Sequence, residues 1–217
     1  MFFNKKAKKE EKHVVVSKER DAFLIGIIGH NGTGKSVTAA NIARWWREAN
    51  PYGEIWAHDP TKRFQDVLTR EIYPHQTHWA KEATDNLRNG LLILDELRIL
   101  HPKPYASQEL LELLAMRREF CIDIIYIVHN PALVLEVLTY YTTHYYLFYT
   151  QSKVGNFEKR IPNYLLAQAA SNFVNKYVRA FGRGNYPNFP FIVVDNEKQS
   201  ISAFNMKYEN VKKIVNN

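Results

Sequence analysis

One eight-residue stretch limits the possible folds of this sequence more than any other: Gly29, His30, Asn31, Gly32, Thr33, Gly34, Lys35 and Ser36. It fits the pattern G-x-x-x-x-G-K-[S/T] at every position and lies between an apolar run at 23–28 and a helical pattern at 35–49. Glycines let the N–H groups of such a loop point inward around phosphate oxygens, and the following helix directs its positive end at the same anion. The stretch therefore predicts a strand–loop–helix unit that binds nucleotide phosphates.

The residue types in this loop indicate separate tasks. Lys35 is predicted to reach the β- and γ-phosphates of ATP as a catalytic residue, and the Ser36 hydroxyl is predicted to bind Mg²⁺. The residues expected to contact ATP are Gly29, His30, Asn31, Gly32, Thr33, Gly34, Lys35, Ser36 and Val37.

An acidic pair follows a second apolar run. Leu91-Leu92-Ile93-Leu94 has the length and character of a buried strand, and Asp95-Glu96 comes directly after it. Asp95 is predicted to bind Mg²⁺ together with Ser36, and Glu96 is predicted to activate the attacking water as a general base. A second carboxylate at this place favours hydrolysis of ATP over transfer of its phosphoryl group to another substrate, since a kinase must keep water out of its active site.

Apolar runs of strand length alternate with helical patterns from residue 13 onward. This alternation predicts an α/β fold with a central, mostly parallel sheet flanked by helices. We expect a basic arm at 1–12, a core at 13–150, and a C-terminal part of the same domain at 151–217, where strands 191–194 and 200–204 pair. Residues 61–89 are predicted to be helical in pieces, and a helix is predicted to begin at Pro131.

The composition limits the classes of protein to which this chain can belong. The chain has 217 residues, one cysteine and a net charge of +7. A disulfide framework within the chain is therefore excluded, and the charge favours a polyanionic partner such as nucleic acid or an anionic surface. The single cysteine favours a reducing compartment, so we expect a cytoplasmic location. The longest apolar stretch, 121–149, is interrupted by Asp123, His129 and Pro131, so we expect no transmembrane segment.

Together these motifs resemble the FtsK/HerA branch of P-loop ATPases, of the additional-strand, catalytic-glutamate type, over roughly residues 20–150. The closest likeness is to the genome-packaging ATPases of tailless, membrane-containing viruses, through the phosphate loop, Asp95-Glu96 and the segment from Arg117 to Pro131. The resemblance implies a motor that translocates double-stranded DNA into a preformed capsid. Its implied partners are double-stranded DNA, further copies of itself in a ring, expected to be a hexamer, and capsid vertex proteins.

By position, the resemblance makes Arg118 the arginine finger that acts on the ATP of a neighbouring subunit, and His129 the sensor of the γ-phosphate. The family has Gln where His129 stands, so Asn130 is an alternative sensor. Both residues also have an explanation without a catalytic role. A cation such as Arg118 is favoured in the last turn of a helix, and His129 could serve only to cap the next helix. The basic segments 98–103 and 153–160 are alternatively DNA contacts or solvated loops.

Three other functions remain open from the sequence alone. A filamentous-phage assembly ATPase belongs to the same superfamily, although such proteins usually carry a membrane span. A small-molecule or nucleoside kinase has the same phosphate loop, and a nucleotide-dependent scaffold would lack turnover.

Overall fold

The structure is a computed structural model that describes residues 21–151 and 163–215. The basic arm expected at 1–12 and the basic segment at 153–160 lie outside the described residues.

The strands and helices alternate along most of the chain. The strands are β1 (Leu24–Ile28), β2 (Ile55–His58), β3 (Arg70–Glu71), β4 (Gly90–Leu94), β5 (Ile122–Val128), β6 (His144–Phe148), β7 (Phe191–Asp195) and β8 (Ser200–Phe204). The helices are α1 (Lys35–Ala49), α2 (Trp79–Asn86), α3 (Leu97–Leu100), α4 (Gln108–Met116), α5 (Glu136–Tyr141), α6 (Tyr164–Phe181) and α7 (Tyr208–Val215).

All the strands form one sheet in the order β3-β2-β4-β5-β1-β6-β7-β8. The strands from β3 to β6 in this order are parallel, and β7 and β8 continue the sheet in antiparallel pairing. The mostly parallel sheet expected from the sequence is confirmed, as is the pairing of the last two strands. Strand β5 lies between β4, which precedes Asp95, and β1, which precedes the phosphate loop. That inserted strand is the additional strand of this type of P-loop fold.

Alternate residues of the parallel strands supply two cores, one on each face of the sheet. Ile25 and Ile27 of β1 pack on the α1 side with Ala39 and Ala43. Leu24 and Ile28 point to the other face, where α2, α4 and α6 cover the sheet. The apolar positions of α1 recur at helical spacing, which seats this helix on the sheet and fixes the loop that precedes it.

A buried polar contact ties α1 to the sheet. The indole Nε1–H of Trp46 donates to Asp123 Oδ2 of β5 at 2.6 Å, and Phe23 N donates to Asp123 Oδ1 at 2.9 Å. Both Trp46 and Asp123 are buried, so these bonds satisfy a carboxylate that would otherwise be costly to bury. The contact fixes the end of α1 opposite the phosphate loop.

Three predictions about the elements are wrong in part. In the segment 61–89 the helix covers only α2, while residues 70–71 form the short edge strand β3. A 3₁₀ turn at Pro131–Leu133 precedes α5, so the α-helix does not begin at Pro131. Helix α4 ends at Met116, so Arg118 lies beyond the last turn of that helix.

None of the helices within residues 21–151 and 163–215 combines the length and the apolar character that crossing a membrane requires.

Candidate nucleotide-binding site

The phosphate loop leaves β1 at Ile28 and enters α1 at Lys35, as the sequence predicts. Gly32 has φ 72° and Gly34 has φ 92°, a region that side chains with a Cβ rarely adopt. A Cβ at Gly34 would also lie 2.2 Å from the Phe189 ring. Both the turn and the close approach of Phe189 therefore require glycine at position 34.

The loop is held by its own side chains and by neighbouring strands. The Thr33 hydroxyl donates to His30 O at 2.7 Å, and Lys35 Nζ donates to the same carbonyl at 2.9 Å. His30 N in turn donates to Tyr149 O at 2.8 Å, and Gly29 N donates to Val128 O at 3.3 Å. These bonds hold the loop at the carboxyl edge of the parallel strands.

The ammonium group of Lys35 is placed for contact with an anion. Only 4% of Lys35 is exposed. Burial lowers its pKa from 10.5 to about 8, and the nearby carboxylates of Asp95 and Glu96 offset part of that effect. A buried cation without an anion bound beside it is destabilising, and a phosphate would supply that anion.

Asp95 follows β4 and is buried next to Ser36. Burial raises the pKa of Asp95, and the Ser36 hydroxyl beside its carboxylate offsets part of that effect. Asp95 Oδ2 is buried and has no hydrogen-bond partner. A carboxylate oxygen and a serine hydroxyl are ligands that suit Mg²⁺, and an unpartnered oxygen beside the phosphate loop fits such an ion.

Glu96 adopts a left-handed backbone conformation, with φ 54° and ψ 54°. Such a conformation is uncommon for a residue other than glycine and is found preferentially at functional sites. Glu96 Oε1 accepts a hydrogen bond from His129 Nε2 at 3.0 Å. The structure thus brings together two residues predicted separately, one after β4 and one after β5.

The two candidate sensors have different contacts. His129 contacts Glu96, and its Nδ1 is buried without a partner. The Asn130 side chain instead accepts from Ala132 N at 2.9 Å and caps the 3₁₀ turn. Of the two candidate sensors, His129 is the one whose side chain contacts Glu96.

The nucleotide cavity, as we call the space beside the phosphate loop, has a volume of about 560 Å³. It is lined by Asn31, Gly32, Gly34, Lys35, Ser36, Val37, Thr61, Arg63, Glu96, His129, Tyr186 and Phe189. Gly29, His30 and Thr33 make the hydrogen bonds that hold the loop and, like Asp95, are not among the lining residues.

Four lining residues are absent from the sequence-based set: Thr61, Arg63, Tyr186 and Phe189. Thr61 and Arg63 are positioned by the buried Asp59, which accepts hydrogen bonds from Arg63 N at 2.8 Å and Phe64 N at 2.9 Å. The position of Asp59 directly after β2, at the same sheet edge as the phosphate loop, was a usable signal for this segment. Tyr186 and Phe189 come from the loop before β7 and had no such signal.

Arg118 lies at the amino ends of the parallel strands, opposite the carboxyl ends at which the phosphate loop lies. It is exposed in the turn between α4 and the start of β5, whereas the phosphate loop follows the end of the parallel strand β1. Beside it, Arg117 is buried and donates to Ala22 O at 2.6 Å, and burial lowers its pKa. Arg118 is thus not brought together with the nucleotide cavity of its own chain.

Comparison with solved structures identifies the fold. The chain is 16% identical to the DNA-packaging ATPase B204 of Sulfolobus turreted icosahedral virus, with a TM-score of 0.62 over 85% of this chain and 98% of that one. It is 14% identical to the genome-packaging NTPase B204 of Sulfolobus turreted icosahedral virus 2 in complex with ATP-gammaS, again with a TM-score of 0.62, over 84% and 96%. The chain has a P-loop NTPase fold. No protein-family model and no curated protein matches the sequence.

Proposed function

We propose that this protein is an ATP-hydrolysing motor that translocates double-stranded DNA, acting in the packaging of a viral genome into a preformed capsid. The observation that carries the proposal is the convergence of Lys35, Glu96 and His129 on one cavity beside a complete phosphate loop. The fold shared with the B204 packaging ATPases of two viruses supports the proposal that the translocated polymer is DNA.

The residues divide the hydrolysis between them. The loop N–H groups and Lys35 bind the β- and γ-phosphates, and the phosphate replaces the His30 carbonyl as the partner of Lys35. Glu96 orients and deprotonates the attacking water, and its bond with His129 holds the carboxylate in place until substrate is bound. Ser36 and Asp95 would hold Mg²⁺, which when bound neutralises charge on the phosphate oxygens.

Arg118 acts on the nucleotide of a neighbouring copy. Its exposure at the amino ends of the parallel strands, away from its own phosphate loop, supports a ring in which this face lies against the cavity of the next copy. An arginine finger contributes roughly 10³- to 10⁵-fold in rate, so a ring would depend on it. The ring, expected to be a hexamer, and a capsid vertex protein as docking partner are parts of the proposal.

The first test measures the ATPase rate with and without double-stranded DNA, together with the mass in solution. The proposal predicts an oligomer whose rate rises with DNA, through phosphate contacts that weaken steeply as salt increases. A monomer whose ATPase rate is indifferent to DNA would contradict the motor and favour a kinase or another P-loop enzyme.

The second test mixes two inactive variants. Lys35→Ala lacks phosphate binding but keeps Arg118, and Arg118→Ala keeps an intact cavity. Each alone should hydrolyse little ATP, and mixing them should restore part of the activity, because mixed rings contain sites with both groups. Arg179→Ala, at an exposed position on α6, is the matched control and should keep full activity. Full activity of Arg118→Ala alone would refute the assignment of the finger.

A further inference from the structure

The loop before β7, residues 182–190, lies against the phosphate loop although it is far away in sequence. Strand β7 is antiparallel to β6, and Phe191 pairs with Phe148, so β7 begins at the edge where the parallel strands end. Phe189, two residues earlier, packs against Gly34. This loop therefore forms one wall of the nucleotide cavity.

The loop presents Tyr186 on a defined turn. Asn188 N donates to Asn185 O at 2.6 Å, and Asn205 Nδ2 donates to Phe189 O at 2.9 Å. Tyr186 lies at the tip of this turn, where it is 70% exposed and still lines the nucleotide cavity. The Tyr186 ring is exposed to the cavity, whereas Phe189 is half-buried and packs against Gly34.

The order of strands sets the direction of a bound nucleotide. Glu96 follows β4 on one side of β1, and the loop that carries Tyr186 precedes β7 on the other side. With the γ-phosphate directed to Glu96 and the triphosphate on the phosphate loop, the rest of the nucleotide extends away from Glu96. An exposed aromatic ring at that end suits a nucleobase, because every base has a π-face.

We infer that Tyr186 is a base-stacking residue: its ring packs against the face of the purine of a bound nucleoside triphosphate and does not contact the edge of that base. The inference rests on the proposed function, because it takes the cavity to bind a nucleotide. Stacking discriminates weakly between bases, so both ATP and GTP are bound through the same contact.

The test is equilibrium binding of three probes: the non-hydrolysable β,γ-imido analogues of ATP and GTP, and inorganic tripolyphosphate. Tyr186→Ala should weaken both analogues by roughly 5- to 150-fold, the range found for loss of one base–aromatic stack. Tripolyphosphate has no base, so its affinity should stay within about twofold of wild type. Tyr186→Phe keeps the ring and should bind all three probes as wild type does.

A matched control is Tyr52→Ala, which removes a tyrosine that is 99% exposed and does not line the cavity. It should leave all three affinities unchanged. Unchanged analogue binding by Tyr186→Ala would overturn the inference alone. So would an equal loss for tripolyphosphate, or a loss in Tyr186→Phe as large as in Tyr186→Ala. Failure of the wild-type protein to bind any of the probes would overturn the proposed function and this inference together.

Discussion

Replacing Lys35 by Met should stabilise the nucleotide-free protein while it abolishes nucleotide binding. Lys35 is almost fully buried, and burial lowers its pKa from 10.5 to about 8. A shift of this size corresponds to about 3 kcal/mol of cost in holding the charged group in the folded state at neutral pH. Met retains the aliphatic contacts and removes the charge, but it loses the bond to His30 O, worth about 1 kcal/mol.

We therefore expect Lys35→Met to raise the free energy of unfolding by about 1 to 3 kcal/mol at pH 7, measured by urea denaturation without nucleotide. The sign of the pH dependence follows from the lowered pKa. Between about pH 8 and the unfolded value of 10.5, the unfolded wild type binds more protons than the folded one, so its stability rises with pH relative to the variant. The difference between the two proteins should therefore shrink above pH 8.

Added ATP should reverse the order of stability. Wild type should gain about 2.7 kcal/mol at a ligand concentration one hundred times Kd, and Lys35→Met should gain almost nothing. The control is Lys81→Met, which removes an exposed lysine from an ion pair with Asp85 and should change stability little. A nucleotide-free Lys35→Met protein clearly less stable than wild type would refute the reasoning.

Two further substitutions test the supports of the site. Gly34→Ala forces a Cβ into a left-handed backbone position and against the Phe189 ring, so it should lower stability by at least about 1 to 2 kcal/mol and weaken ATP binding. Chemical denaturation and titration would check this, and wild-type values in both would count against the loop geometry. Trp46→Phe removes the donor to Asp123 and should cost about 1 to 3 kcal/mol with little effect on Kd for ATP. An unchanged unfolding midpoint would show that this buried bond does not hold α1 to the sheet.

The places of the phosphate loop between β1 and α1 and of Asp95-Glu96 after β4 could be predicted from the sequence, because local residue types and spacing set them. Gly34, Lys35 and Ser36 lie within one turn of each other, and Asp95 and Glu96 follow a strand that is apolar throughout. The predicted parallel sheet follows from the same local patterns. Strand β3 could not be predicted because it consists of only two polar residues, Arg70 and Glu71, and a strand this short shows no periodicity.

Contacts between segments that are far apart in the sequence could not be predicted from local residue patterns. The bond between Glu96 and His129 depends on the register of β4 against β5, in which Leu94 pairs with Tyr126. The position of Tyr186 depends on the antiparallel return of β7 beside β6. Both are properties of strand order and register, which a local pattern of residues does not encode.

The most direct test of a hydrolytic site at this cavity is ATP binding and ATP turnover of Glu96→Gln, measured on the same preparation. Glutamine keeps the length of the side chain and an oxygen that accepts from His129 Nε2, but it cannot take a proton from water. We expect Glu96→Gln to bind ATP with wild-type affinity and to turn it over at least about 100-fold more slowly, while Glu48→Gln, at an exposed position on α1, retains full turnover. Turnover by Glu96→Gln at the wild-type rate would contradict this expectation.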